Sequence, residues 1–317
     1  MTRAEASKAA FGASGPLRGT ARVPGDKSIS HRALMLAAIA CGRSRIEGLS
    51  EGGDVRSTAA ALRAMGAGIE RSGGAWEVDG VGTGGLLQPR QALDMGNSGT
   101  SARLLMGLVA SHAITATFVG DASLSGRPMA RVAGPLRRIG AEIIASPGER
   151  LPLAVRGLCP AVPLTHLMAV PSAQVKSALL LAALNIPGET RVIEPAATRD
   201  HSERMLKAFG ADIRIEGEAI ALTGEAELKP RSLAVPADPS AAAFLVVAAL
   251  IVPGSEVRIE GVGLNPGRTG LFTMLREMGA DLAFSGEREA GGEPVADVTA
   301  RHSALRGVDV PPDEGDS

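Results

Sequence analysis

The chain has 317 residues, 45% of them apolar and 21% charged, with a formal net charge of −1. That length allows about two domains and a large core, and so even a charge balance gives no reason to expect nucleic acid or an anionic membrane as partner. Cys41 and Cys159 form no CxxC or ligand spacing, and residues 1–15 lack the apolar stretch of a secretory signal, so a reduced, cytoplasmic protein is expected.

Taken in order, the chain repeats one phrase about every 70 residues. Each copy opens with an apolar helix: HRALMLAAIA, SARLLMGLVA, VKSALLLAAL and SAAAFLVVAAL. A strand follows (RSRIEG, ATFVG, TRVIEP, SEVRIEG), then a polar-faced helix that ends in Gly-Ala, then another strand. The closing glycines are Gly66, Gly140, Gly210 and Gly279, each suited to the left-handed position just past a helix. Ala33–Ala40, Leu104–Ala110, Ala178–Ala183 and Ala241–Leu250 are apolar on every side, which predicts four inner helices buried all round. Their runs of roughly ten residues fall short of the ~20 that a membrane span needs. The fold class is therefore α/β, built from repeated helix-strand-helix-strand units. Val23-Pro24-Gly25 and Val235-Pro236-Ala237 are the hinge candidates. They divide the chain into a three-repeat domain, residues 25–236, and a second, incomplete domain made of 1–24 plus 237–317.

Every inner helix starts in a turn of small polar residues: Pro24–Arg32, Met95–Arg103, Pro171–Ser177 and Ala237–Ala243. Free backbone N–H groups and the positive end of the helix dipole make such turns natural anion sites. For any one of them, ordinary capping by Ser or Asp is the commoner explanation. Three turns that carry Lys27, Arg32, Arg103 and Gln174 favour an anion-binding cleft, as does Arg127 at the entry to the second polar-faced helix. Other matches fail on context. GVGTGG (80–85) is followed by LLQPRQ rather than a helix, and GLSEG (48–52) is separated from the next helix by Gly53 and Asp54. PGDKS is no phosphate-binding loop of the Walker kind, and the five histidines have no metal spacing, with His31 expected to pack or cap.

The segments PGDKSISHRAL, MGNSGTSARLLMG, GDASLSGRPM, PSAQVKSALLLA and TRDHSERML together resemble the bacterial EPSP synthases, the 3-phosphoshikimate 1-carboxyvinyltransferases, from about Leu17 onward. The resemblance implies the enolpyruvyl transferase architecture, two inside-out α/β barrel domains of three units each, with four of the six units visible here. It implies transfer of the enolpyruvyl group of phosphoenolpyruvate to the 5-hydroxyl of shikimate 3-phosphate, with no cofactor, no metal and a monomeric enzyme. By matching position, Lys27, Ser28 and Arg32 would hold shikimate 3-phosphate, and Lys27 would also reach phosphoenolpyruvate as the one catalytic group in view. Ser172, Ala173 and Arg199 would meet the shikimate phosphate, Gln174 both substrates, and Gly99 and Arg127 phosphoenolpyruvate, in the pocket that also takes glyphosate. The family's remaining acid-base residues follow the point at which this sequence stops, so the chain on its own is expected to be inactive. The alternatives are a non-catalytic anion-binding remnant, or a UDP-N-acetylglucosamine enolpyruvyl transferase, whose reactive Cys is missing from Gly120–Met129.

Overall fold

The computed structural model describes Gly12 and residues 15–310. A short strand β1 (Arg18–Ala21) leads into the first unit: α1 (Lys27–Ala38), β2 (Cys41–Glu47), α2 (Gly53–Ala64), β3 (Gly68–Ser72) and β4 (Ala75–Val81). The second comprises β5 (Leu93–Asp94), α3 (Gly99–Ala110), β6 (Thr115–Val119), α4 (Ala122–Ser125), α5 (Ala130–Arg138), β7 (Glu142–Ser146) and β8 (Arg150–Arg156). The third has β9 (Thr165–Leu167), α6 (Ala173–Ala183), β10 (Glu189–Ile193), α7 (His201–Ala208), β11 (Asp212–Glu216) and β12 (Ala219–Thr223). After β13 (Ser232–Ala234) the fourth runs α8 (Pro239–Ile251), β14 (Glu256–Gly263), a 3-10 turn (Pro266–Arg268), α9 (Gly270–Glu277), β15 (Asp281–Ala290) and β16 (Glu293–Arg301). The four repeat glycines adopt φ between +91° and +105°, the left-handed conformation that a Cβ disfavours.

Each unit forms one four-stranded sheet with the same plan. A parallel edge strand pairs with the strand after the inner helix, which pairs antiparallel with a closing hairpin. In the second and third units the edge strand directly precedes its own inner helix, giving a parallel crossover. The first and fourth units exchange theirs: β13 pairs with β2, and β1 with β14. The two connections therefore cross between residues 22 and 26 and between 235 and 238. There Asp26 N–H donates to Pro236 O (2.7 Å) and Asp238 N–H to Pro24 O (2.9 Å).

The core separates into two clusters. One runs from Ile29 to Val235 and contains α1, α3 and α6, buried on nearly every face. These helices approach closely because their side chains are small. A Cβ at Gly107 on α3 would stand 2.1 Å from Ala178 O on α6, so only glycine permits that packing. The other cluster joins α8 and α9 to the sheet β1–β14–β16–β15. Here the expectation that all four inner helices are buried all round is corrected. α8 buries one face through Ala242, Val246, Ala249 and Leu250, while Phe244 and Ile251 remain 79% and 61% exposed. Its sequence is apolar throughout, but among the described residues nothing packs on that second face. No helix among the described residues is long and apolar enough to cross a membrane.

Candidate functional site

The polar turns gather where α1, α3 and α6 begin. At α1 the capping role is filled by side chains from both crossing connections. Asp26 Oδ1 accepts from Ile29 N–H (2.9 Å), and Asp238 Oδ2 accepts from Lys27 N–H (3.3 Å). The α1 terminus is thus already occupied by carboxylates, which corrects the picture of a free helix end there. Lys27 reaches outward and pairs with Asp54, which stands in the first turn of α2. That helix begins at Gly53, earlier than its sequence suggests. Ser28 is partly buried, and its carbonyl accepts from Arg32 Nη1 (2.9 Å).

Arg32 points inward and is buried. Its Nε donates to Ser202 Oγ (2.7 Å) and its Nη2 to Ser177 Oγ (2.6 Å), so one guanidinium ties α1 to α6 and α7. Burial pulls its pKa down to about 10, against the pull of Glu203 and Asp26, and it stays cationic at neutral pH. Ser172 caps α6, accepting weakly from Val175 N–H (3.4 Å), and Ala173 opens the helix. Gln174 bridges to α3. Its Oε1 accepts from Arg103 Nη1 (2.9 Å) and its Nε2 donates to Thr100 Oγ1 (3.2 Å).

Around the start of α3, Gly99, Arg103 and Arg127 converge. A Cβ at Gly99 would lie 2.7 Å from Arg103 Nη1 and 3.4 Å from Arg127 Nη1. Arg127 donates to Asn97 Oδ1 (2.6 Å) and Ser123 Oγ (3.2 Å), and Asn97 is held in turn by Asp121 (2.7 Å). Burial lowers the Arg103 pKa, and repulsion from Arg127 and Arg131 adds to it. Arg199, just before α7, is exposed, yet desolvation lowers its pKa, with Arg268 contributing repulsion.

The segment bearing Arg199 rests on a buried ion cluster invisible in the sequence. Lys176, fully buried on α6, pairs with Glu194 (2.9 Å) and Glu203 (2.6 Å) and donates to Thr198 O (3.4 Å). Thr198 Oγ1 and N–H both donate to Glu194 in turn, so the residue before Arg199 is fastened at three points. Burial pushes the Glu203 carboxyl up, with Lys176 opposing it. The sequence shows Lys176 and Glu203 as ordinary helix charges 27 residues apart and gives no signal of their contact. Asp54 was likewise missed as a partner of Lys27, although its place at a helix start is readable.

His31 packs as expected. Its Nδ1 meets Thr58 Oγ1 (2.8 Å), and Thr58 continues to Ser101 (2.7 Å). Burial, then repulsion from Lys27 and Arg32, lowers its pKa to about 3. The free imidazole titrates near ~6.5. Between those values the unfolded chain binds a proton that the folded chain refuses, so His31 makes stability fall as pH drops from ~6.5 toward 3, and has no such effect above ~6.5. The expected slope for one proton is about 1.4 kcal/mol per pH unit. Urea midpoints at pH 7 and 4.5 should therefore differ less in His31→Asn than in the unaltered chain. An identical difference would mean that His31 is protonated in the fold.

Residues 12–312 match the family described as EPSP synthase (3-phosphoshikimate 1-carboxyvinyltransferase). A 3-phosphoshikimate 1-carboxyvinyltransferase of Sphingopyxis alaskensis is 63% identical, matching 98% of this chain and 72% of its own length. One from Novosphingobium aromaticivorans is 64% identical, across 95% of this chain and 70% of its own. Among solved structures, the EPSP synthase from Acinetobacter baumannii superposes with a TM-score of 0.87 at 46% identity, covering 94% of this chain and 68% of that one.

Proposed function

The chain belongs to the EPSP synthase family, and from that premise we propose that its cleft binds shikimate 3-phosphate and phosphoenolpyruvate for transfer of the enolpyruvyl group to the 5-hydroxyl. The carrying observation is electrostatic. Arg32, Arg103 and Arg199 are the arginines whose pKa values are pulled down, and all three lie around these helix starts. Among the described residues none of them has a carboxylate within ion-pair distance, whereas Arg43, Arg137, Arg204 and Arg258 do. Partly desolvated cations whose nearest carboxylates stand beyond ion-pair distance are costly unless an anion arrives to meet them. Each substrate brings a carboxylate and a phosphate.

In this reading Lys27, Ser28, Ser172, the Ala173 N–H and Arg199 receive shikimate 3-phosphate, and Arg32 supplies charge from beneath while holding three helices in place. Gly99 and Arg127, with Arg103 added, receive phosphoenolpyruvate, and Gln174 stands between the two. The 5-oxygen adds to C2 of phosphoenolpyruvate while C3 takes a proton. The tetrahedral adduct then loses inorganic phosphate and the proton from C3, so acid-base groups serve both steps. Lys27, paired with Asp54, is the candidate acid-base group on this chain. We also place a domain division so that residues 25–236 form one domain, and 1–24 with 237–317 belong to another. Support comes from the two core clusters and the crossed connections; residues 1–11, 13, 14 and 311–317 lie outside the described residues.

The chain spans about 70% of the length of these relatives. Turnover is therefore tested in a chimera that joins it to the segments of the Sphingopyxis relative that it does not span. Inorganic phosphate release that requires both substrates is expected; release with either alone, or none from a folded chimera, would count against the reading. In the same protein Gly99→Ala should raise KM for phosphoenolpyruvate and weaken glyphosate inhibition, leaving shikimate 3-phosphate less affected. The added methyl would displace the Arg103 tip, and with it the bond from Arg103 to Gln174. An unaltered KM and inhibition constant would place Gly99 outside the pocket.

A further inference from the structure

Arg268 has no hydrogen bond to the residues assigned to substrate, yet it joins the two connections that lead into α1 and α8. It stands at the end of the 3-10 turn with a side chain only 9% exposed. Its Nη1 donates to Asp26 Oδ2 (3.2 Å), and its Nη2 donates to Asp238 Oδ1 (3.1 Å) and Ser240 Oγ (2.7 Å). Asp26 and Asp238 cap α1 and α8 and follow the two crossing connections. One guanidinium thus spans both crossings and both helix starts. The turn itself is anchored beside Arg199: Asn265 accepts from Gly267 N–H (3.0 Å) and donates to Asp200 Oδ1 (2.6 Å) and Glu293 Oε2 (2.8 Å).

Charge makes the arrangement functional. Asp26 directly precedes Lys27, and Asp238 holds the Lys27 N–H, so two carboxylates lie beside the proposed anion site. Arg199 feels both of them, and Arg268 as well. Without Arg268 the carboxylates would repel a phosphate and attract Arg199 away from it. We propose that Arg268 is a positioning residue that straps the two crossing connections together and occupies Asp26 and Asp238, keeping Arg199 and the α1 turn available to an anionic substrate. This rests on the reading of that turn as the shikimate 3-phosphate site.

The test uses the full chain and its variants Arg268→Met, Arg268→Lys and Arg268→Met/Asp238→Asn, with amide hydrogen exchange at Asp26, Lys27 and Asp238 and calorimetric titration of shikimate 3-phosphate. Arg268→Met should speed exchange at those amides and weaken binding by about tenfold, the scale of repulsion from two carboxylates left unpaired beside an anion. Arg268→Lys should fall between. Adding Asp238→Asn removes one excess carboxylate, so affinity should return in good part while exchange stays fast, a split that loss of structure alone would not produce. Unchanged exchange in Arg268→Met overturns the strap. Lost affinity that Asp238→Asn does not restore, or affinity never lost, overturns the charge role. Should the unaltered chain bind no shikimate 3-phosphate, the reading of the site fails instead, and exchange alone decides on the strap.

Discussion

Lys176→Met should destabilise the fold by about 3–5 kcal/mol, the cost of leaving a buried charge without its partner. Lys176 is fully buried and is the cation that meets both Glu194 and Glu203. Methionine fills the same space but leaves two carboxylates facing each other in the interior. Glu203, already pushed upward by burial, would take up a proton, which limits the loss without abolishing it. Converting both acids as well, in Lys176→Met/Glu194→Gln/Glu203→Gln, should recover most of the stability, because a neutral polar set needs no counter-charge. Urea unfolding measures all three proteins. A single variant as stable as the unaltered chain would show that the cluster is not load-sharing; a triple variant no better than the single would mean that hydrogen-bond geometry matters more than charge. Because Thr198 is fastened to the same cluster, binding through Arg199 should weaken in the single variant even where it remains folded.

Lys27→Ala should weaken shikimate 3-phosphate binding by one to two orders of magnitude, from a lost charge-assisted contact of about 1.5–3 kcal/mol. The loss is compounded, because Asp54 then faces the anion with no cation beside it. Lys27→Ala/Asp54→Asn should accordingly bind better than Lys27→Ala alone. Lys229 is an exposed lysine outside the site, and Lys229→Ala should bind as the unaltered chain does. Equal affinities for Lys27→Ala and Lys229→Ala would remove Lys27 from the site.

The repeat was legible in the sequence because each unit carries its own period: an apolar helix, an amphipathic helix and a glycine that ends it. Gly66, Gly140, Gly210 and Gly279 all adopt the conformation their positions imply. The exchange of edge strands was not legible. β1 and β13 have four and three residues, too few for an alternating pattern to declare a partner more than 180 residues away. The fate of α8 was misread for a related reason: composition tells that a face can be buried, and the neighbour decides whether it is. In the site, the turns at the helix starts were readable from small polar residues beside Lys, Arg and Gln. What fills those turns was not. Asp238 caps a helix 211 positions away, and Lys176 with its two glutamates joins α6 to the segment before and within α7 through contacts that only the fold creates.

The proposed site receives a phosphate together with a carboxylate, and the most direct test of that proposal is a paired calorimetric titration of the 317-residue chain with shikimate 3-phosphate and with shikimate, at low and moderate salt. The expected result is binding of shikimate 3-phosphate that exceeds shikimate by at least about tenfold, the worth of one charge-assisted contact to phosphate. That margin should narrow as salt screens the exposed part of the attraction and nearly vanish in Arg199→Gln. Equal affinity for the two ligands, or a margin untouched by Arg199→Gln, would contradict the assignment of the phosphate to this cluster of helix starts.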